Sequence, residues 1–288
     1  MNNRIILMTH NVWRCDTNRP AWEEKGEDCS ASVRVKGHVR VYLDTLPDII
    51  GCQEMSALMA DLLKEQCYEA GLDYTLIWGR CTPILYRTDK FELIDAAFGT
   101  YPEFIEKYEG SFNDGRGKSW NIGVFREKAS GKVFAFGTTH LWWKSGDKTK
   151  MFSAGSAYQA YSDEAREYQI ALLAEKIMDF RQKYDCPAVV AGDFNTDYNS
   201  KAVGYLFANG FHHAHDIAVE YAEESIGYHN CFPSGYDTFY SDKPFECAID
   251  HIMLLGEIAG SVKRFERYSP GYYFPISDHS PAYIDLEL

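Results

Sequence analysis

The sequence lacks any run of apolar residues long enough to cross a bilayer, and the stretch Met1–Met8 has no apolar core of the kind found in signal peptides. It also lacks Pro-rich or Gly/Ser-rich linkers and repeats of a fixed period. These absences predict a single domain over residues 1–288, with no transmembrane segment.

Closely spaced cysteine pairs are absent too. None of the eight cysteines forms a Cys-x-x-Cys motif, which argues against a zinc site. A chain of 288 residues can bury a sizeable core without disulfides, so reduced thiols and a cytoplasmic location are the simplest interpretation. The cysteines are Cys15, Cys29, Cys52, Cys67, Cys81, Cys186, Cys231 and Cys247.

Basic residues are scarce. Lys and Arg number 29 against 42 Asp and Glu, which gives a net charge of -13. Non-specific nucleic-acid binding depends on basic side chains that neutralise phosphates. The balance therefore disfavours non-specific DNA binding and a general DNA-degrading role, although a local basic groove is compatible with it.

Strands and helices alternate in the predicted structure. Arg4–Val12 alternates as a strand does, and helical periodicity marks residues 35–46 and Asp163–Lys183, the second capped by Ser162. The segment Thr17–Ser32 has no clear period and predicts an exposed loop. This order of elements indicates an α/β (α+β) chain.

One apolar run, Ala188–Ala191, is typical of a strand buried on both faces. Asp193 and Asn195 follow it and lie on the same side of an extended chain. An isolated buried charge is costly, so this carboxylate needs a metal, a water or a polar substrate beside it. The alternative is a capping turn into a helix predicted to begin near residues 199–200.

Polar side chains stand at four further strand ends, and one acid lies inside an apolar strand. Each alone has a structural explanation, such as a turn residue, a helix N-terminal charge or an inward acid paired with an arginine. Together they predict a ligand site where strand ends converge. They are Asn11, Glu54, His140, the pair Asp278-His279, and Asp250 within the strand.

The ligand types in this set indicate the chemistry. Carboxylate and amide oxygens, without Cys or clustered His, suit a hard cation such as Mg²⁺ or Mn²⁺. Two histidines and several carboxylates can then transfer protons around an in-line attack by water. The sequence thus predicts phosphoester hydrolysis.

Six motifs carry a family resemblance. In chain order they are Thr-His-Asn-Val, Ile-Gly-Cys-Gln-Glu, Thr-Thr-His-Leu, Gly-Asp-Phe-Asn, Ile-Asp-His-Ile and Ser-Asp-His-Ser-Pro, spanning Thr9–Pro281. Any one of them is unspecific, but all six in order resemble the endonuclease/exonuclease/phosphatase (DNase I-like) superfamily of nucleases, sphingomyelinases and phosphatases. The resemblance implies a four-layered sandwich of two mixed β-sheets flanked by helices.

The resemblance also implies roles for the residues. Glu54, Asn11 and Asp278 would hold Mg²⁺, while Asp193 and Asn195 would position the attacking water and the phosphate, or a second metal.

By the same resemblance, His279, oriented by Asp250, would act as a base or as a phosphate-stabilising cation. His140 matches a position used as an acid or a phosphate contact. Arg166, in the helix that follows, would contact phosphate.

An insertion over residues 142–161 departs from many bacterial members. Its aromatics are Trp142, Trp143, Phe152, Tyr158 and Tyr161. They could stack on a base or a sugar or touch a lipid surface, and the alternative is a loop that packs its own aromatics onto the body.

The run His212-His213-Ala214-His215 looks like a metal cluster, but it follows Gly210 and is predicted to be a surface turn.

These observations predict a Mg²⁺-dependent phosphoester hydrolase acting on a small or lipid-like phosphoester. A nuclease of the same superfamily is the alternative, and a non-catalytic binding module on this fold is another. Membrane-surface contact through Trp142 and Trp143 is a further hypothesis.

Overall fold

Two β-sheets lie at the centre of the structure. The computed structural model describes residues 4–148, 158–221, 248–268, 270–273 and 275–287. The strands within them are β1 (Arg4–Asn11), β2 (Ile49–Gln53), β3 (Tyr74–Ile77), β4 (Ile84–Arg87), β5 (Phe91–Thr100), β6 (Ser119–Glu127), β7 (Val133–His140), β8 (Ala188–Asp193), β9 (His212–His213), β10 (Glu220–Tyr221), β11 (Asp250–Leu255), β12 (Val262–Arg267) and β13 (Ala282–Glu287). The α-helices are α1 (Pro20–Glu23), α2 (Ala31–Thr45), α3 (Ala57–Glu69), α4 (Ser162–Tyr184), α5 (Lys201–Ala208) and α6 (Ala214–Ile217), and short 3-10 helices cover Glu257–Ser261 and Gly271–Tyr273.

Both sheets are mixed. The first has the strand order β10-β12-β13-β1-β2-β4-β3 and the second β5-β6-β7-β8-β11-β9. Strands β1 and β2 run parallel in the first sheet, as do β7 and β8 in the second, while β13 and β11 pair antiparallel with β1 and β8. Helices α2 and α3 cover the first sheet, and α4 and α5 cover the second. The structure is therefore the predicted four-layered sandwich.

Strand β1 shows how the sequence builds the two inner layers. Because side chains alternate across a strand, Ile5 and Leu7 face the opposite sheet, whereas Ile6 and Met8 face helices α2 and α3. This is the division that the alternation predicts.

The parallel pairing brings the chemistry-bearing residues to one edge. Asn11 pairs with Gln53 at the ends of β1 and β2, and His140 pairs with Asp193 at the ends of β7 and β8. The two sheets are joined beneath this edge, because the Gln53 side-chain amide donates to Thr138 Oγ1 at 2.8 Å. The four strand ends therefore open onto a common site.

Local predictions have mixed outcomes. Ser200 caps α5 by accepting from Val203 N. Helix α4 begins at Ser162 itself, after Tyr161, so the predicted Ser162 cap is wrong. The segment Thr17–Ser32 is also not simply an exposed loop, because it contains α1 and the buried Trp22.

None of the described helices combines the length and hydropathy that a membrane span requires.

Replacing Gly192 with alanine should destabilise the fold strongly. A Cβ there would lie 2.1 Å from the carbonyl oxygen of Thr139 on the paired strand, at a φ of 152° that side chains rarely adopt. We expect the free energy of unfolding, measured by urea denaturation, to fall by about 3 kcal/mol.

The matched control is Gly204→Ala in α5, where nothing lies within 4 Å of the added Cβ. Alanine should stabilise that helix by about 0.5–1 kcal/mol. An unchanged free energy of unfolding in Gly192→Ala would show that the close approach of β7 and β8 is not required.

Candidate active site

Three residues at the strand ends hold a left-handed backbone. They are Trp13, Glu54 and Asn195, with φ values of 53°, 58° and 52°. This conformation costs a non-glycine residue about 1 kcal/mol or more, and such residues concentrate at functional sites. Glu54 and Asn195 thus mark the turns at which β2 and β8 deliver their polar side chains.

The Asp193 carboxylate is the centre of the site and is buried. Its Oδ2 accepts from Asn11 Nδ2 at 3.0 Å and lies 3.3 Å from His140 Nε2 and 3.9 Å from His279 Nε2. Its Oδ1 accepts from the backbone N–H of Asn195 at 2.8 Å. One carboxylate therefore joins residues from both sheets.

Both burial and neighbouring charges shift the pKa of Asp193. Burial raises the pKa of this carboxyl, and the Asp250 carboxylate raises it further, while His279 and Lys118 oppose the shift. Asp250 is paired directly with Asp193 across β8 and β11. The two carboxylates are close enough to compete for a proton or share a cation.

Asp250 orients His279. Its Oδ2 lies 2.7 Å from His279 Nδ1, a distance that favours the tautomer with a proton on Nδ1 and a lone pair on Nε2. Ser277 fixes the same segment, since its Oγ accepts from His279 N and donates to Asn11 O at 2.8 Å. The Nε2 atom of His279 is thereby aimed towards Asp193.

Glu54 and Asp278 supply the carboxylates suited to a cation. Glu54 Oε2 accepts from Arg14 N at 3.0 Å, and Oε1 lies 3.9 Å from His140 Nε2. Asp278 Oδ1 is buried and has no hydrogen-bond partner among the described residues. Burial raises the pKa of Asp278, and the nearby Glu54 raises it further, while His279 opposes the shift. A buried carboxylate oxygen without a donor, beside another acid, is the environment that a divalent cation would relieve.

Two overlapping groups of side chains could hold metal ions. Glu54, His140 and Asp193 offer ligand atoms within 4.8 Å of one another, and so do Asp193, Asp250 and His279. Asp193 belongs to both groups.

Asn11, predicted as a metal ligand, uses its amide within the protein. Its Nδ2 donates to Asp193 and its Oδ1 accepts from Trp13 N at 3.0 Å. A second lone pair remains on Oδ1, so its role as a ligand stays a prediction.

Lys118 is a site residue that the sequence reasoning missed. Its buried Nζ lies 2.6 Å from His140 Nε2. Burial, followed by the Lys118 charge, keeps the pKa of His140 well below its usual range, so His140 is a neutral acceptor. The signal that could have found it is the Ser130-Gly131 turn between two strand-like segments, because the hairpin pairs Ser119 with His140 and so brings Lys118 beside that pair.

Two buried arginines hold the segments around the site. Arg34 donates to five carbonyl oxygens at 2.7–2.8 Å, those of Val12, Trp13, Cys15, Cys29 and Ile276. It therefore ties the chain that leaves β1 to the chain that precedes Asp278. Arg34 was not among the site residues predicted from the sequence.

Arg166 has an equivalent place after β7. Its Nη1 donates to Trp142 O at 2.9 Å and Lys144 O at 2.7 Å, and its Nη2 pairs with Asp163. The structure shows it supporting the segment that follows His140. The phosphate contact predicted for Arg166 stays a prediction.

The described part of the insertion packs onto the body. Trp142 is buried against Phe112, and Trp143 Nε1 donates to Asp114 at 2.9 Å. Trp142 is therefore not available to a membrane surface, and this half of the membrane hypothesis is wrong. Phe152 lies outside the described residues.

The predicted surface turn at residues 212–215 is wrong for two of its histidines. His212 is exposed, but His213 and His215 are buried: His213 contacts His251 of β11, and both rings contact Phe265 of β12. The pairing of β9 with β11 draws them inward.

Comparison with known proteins agrees with this fold. The model of the Endonuclease/Exonuclease/phosphatase family matches residues 8–279. The chain belongs to this family, whose members are phosphoester hydrolases. The search of curated proteins finds no match.

Solved structures share the fold at low identity. The endonuclease/exonuclease/phosphatase from Bacteroides vulgatus aligns with a TM-score of 0.73 and 22% identity over 99% of both chains. The Bacteroides thetaiotaomicron mannosyl-6-phosphatase has a TM-score of 0.69 and 20% identity, covering 97% of this chain and 98% of that one. The human Nocturnin catalytic domain has a TM-score of 0.63 and 16% identity, covering 98% and 92%.

Asp278→Asn should make stability less sensitive to pH. Because folding raises the pKa of Asp278, the folded state binds this proton more tightly than the unfolded state. The contribution of Asp278 to the free energy of unfolding therefore falls as pH rises from about 4 towards neutral, and the asparagine variant lacks this loss. We would measure the free energy of unfolding of both proteins by urea denaturation in EDTA at pH 4.5 and pH 8. Relative to the natural protein, the variant should be more stable at pH 8 than it is at pH 4.5.

Asp179→Asn, an exposed position on α4, is the control and should show little change with pH. Added MgCl₂ should then stabilise the natural protein more than Asp278→Asn. A pH-independent difference between the two proteins would contradict the burial argument.

Proposed function

We propose that residues 1–288 form a single-domain, Mg²⁺- or Mn²⁺-dependent phosphoester hydrolase that attacks phosphate with an activated water. The observation that carries this proposal is the buried Asp193, which contacts Asn11 and lies beside His140 and the Asp250–His279 pair. A cytoplasmic location, inferred from the scattered cysteines, is part of the same proposal.

The cation would be held by Glu54 and Asp278, with Asn11 beside them. The donor set fits a hard cation, since it consists of carboxylate and amide oxygens and includes Asp278 Oδ1, which has no hydrogen-bond partner among the described residues. When bound, the cation would neutralise charge on the phosphate and on the departing oxygen.

The protein's own residues would move the proton. His279 carries its proton on Nδ1 towards Asp250, so its Nε2 can accept a proton from water. The 3.9 Å between His279 Nε2 and Asp193 Oδ2 is too long for a direct hydrogen bond and leaves both atoms able to accept from one water. Asn195 N holds the Asp193 carboxylate in this orientation.

Positive charge for the phosphate oxygens would come from Lys118. Its buried ammonium donates one N–H to His140 Nε2 and keeps further N–H groups that would donate to a phosphate oxygen.

A small phosphoester is the favoured substrate class. The net charge of -13 opposes binding of long polyanions, and a mannosyl-6-phosphatase shares the fold over nearly the whole chain. The lipid-like alternative loses the support of Trp142, which is buried. A nuclease remains the second candidate.

A substrate panel tests the proposal. It comprises bis-p-nitrophenyl phosphate, sugar phosphates, inositol phosphates, sphingomyelin, single-stranded RNA and plasmid DNA. We expect hydrolysis of a small phosphoester that EDTA abolishes and Mg²⁺ restores. Activity that survives EDTA would contradict the cation, and inactivity without any stabilisation by Mg²⁺ would favour the binding module.

On the substrate identified, His279→Ala and Asp193→Ala should each lower kcat by roughly 10²–10⁴-fold, because each removes a group that handles the proton. Both variants should still melt cooperatively. His212→Ala, an exposed histidine, is the matched control and should keep full activity. Full activity in either site variant would refute the mechanism.

A further inference from the structure

Two buried histidines outside the active site form a continuous hydrogen-bonded chain that ends on it. His213 Nε2 lies 3.1 Å from His251 Nδ1, and His251 Nε2 lies 2.8 Å from the carbonyl oxygen of Thr196. At the far end, His213 Nδ1 accepts from the backbone N–H of His215 at 3.2 Å. Neither ring has a part in the proton transfer described above.

These contacts determine where each proton lies. The carbonyl oxygen of Thr196 can only accept, so His251 must carry its proton on Nε2. In a neutral ring, His251 Nδ1 is then an acceptor, and His213 must donate to it from Nε2. His213 Nδ1 is left to accept from the backbone, as observed.

The contacts require both rings to be neutral. His213 Nδ1 accepts from a backbone N–H and so carries no proton, and the proton on His213 Nε2 leaves His251 Nδ1 as an acceptor. Burial also lowers the pKa of His213 well below its usual value. Every donor in the chain therefore points in one direction, towards Thr196.

His251 contacts both neighbours of Asn195. Its ring packs on Phe194 with centroids 5.1 Å apart, and its Nε2 donates to Thr196 O. Asn195, between them, has the left-handed backbone, and its N–H donates to Asp193 Oδ1. A shift of this turn would rotate the Asp193 carboxylate away from its partners.

We propose that His213 and His251 are positioning residues of the active site. The Thr196 carbonyl oxygen fixes the tautomer of His251, His213 completes the chain by donating to His251 Nδ1, and His251 holds the Phe194–Thr196 turn so that Asn195 N orients the Asp193 carboxylate. The opposite tautomer of His251 would place a bare Nε2 against Thr196 O, and the two lone pairs would repel each other. The effect on turnover rests on the proposed function, whereas the proton positions do not.

Nitrogen NMR of the ¹⁵N-histidine-labelled protein tests the proton positions without any substrate. At neutral pH, both rings should show a protonated Nε2 and an unprotonated Nδ1, assigned by the loss of signals in His213→Leu and His251→Leu. In His213→Leu, His251 should keep its proton on Nε2, because Thr196 O remains, while the nitrogen chemical shift of its Nδ1 should change as the hydrogen bond from His213 is lost. A cationic ring, or a proton on Nδ1 of either ring in the natural protein, would overturn the proposal.

Kinetics test the positioning role. His251→Leu should lower kcat by about 10–100-fold with little change in KM, since it disturbs the orientation of Asp193 and leaves the rest of the site in place. His251→Gln should restore most of kcat, because a side-chain amide can donate to Thr196 O and accept from His213. His212→Ala, on the same short strand and exposed, should match the natural protein.

The outcomes separate the two proposals. If the natural protein is active and the leucine and glutamine variants lose kcat equally, or neither loses it, the positioning role is wrong and the hydrolase function stands. If His251→Leu does not fold, the comparison of His251→Gln with the natural protein and the tautomer measurement on the natural protein decide the matter. If no substrate is hydrolysed, the hydrolase proposal fails, and the proton positions, with the change at His251 Nδ1 in His213→Leu, still decide whether the hydrogen-bonded chain exists.

Discussion

The geometry of the candidate site depends on the burial of one carboxylate, that of Asp193, between the two sheets. A charge in this position must be given donors, and Asp193 receives them from Asn11 on the first sheet and from the backbone of Asn195 on the second. This arrangement requires the two sheets to meet with their strand ends in line. The Gln53–Thr138 hydrogen bond and the close approach of Gly192 to Thr139 hold that alignment.

The parts of the fold that follow from local periodicity could be predicted from the sequence. Alternation in β1 identifies both of its faces, and polar residues after apolar runs identify the strand ends at Glu54, His140 and Asp193. Parallel strands then bring those ends together. The prediction succeeds here because each signal lies within a few residues of the chain.

Lys118, the His213–His251 chain and the burial of Trp142 could not be predicted in the same way. Each depends on a partner 22 to 38 residues away: Lys118 on His140, His213 on His251, and Trp142 on Phe112. A lysine in a charged loop and histidines after a glycine have the local pattern of surface residues. The pairing of β6 with β7 brings the lysine inside, and the pairing of β9 with β11 does the same for His213.

Arg166 has a consequence for the segment that follows β7. By binding the carbonyls of Trp142 and Lys144, it fastens the chain just after His140 and so separates the end of β7 from whatever follows. The segment beyond Lys144 can then lengthen, shorten or be exchanged without displacing His140. Such an arrangement allows evolution, or a protein engineer building chimaeras, to graft a new recognition loop onto unchanged chemistry.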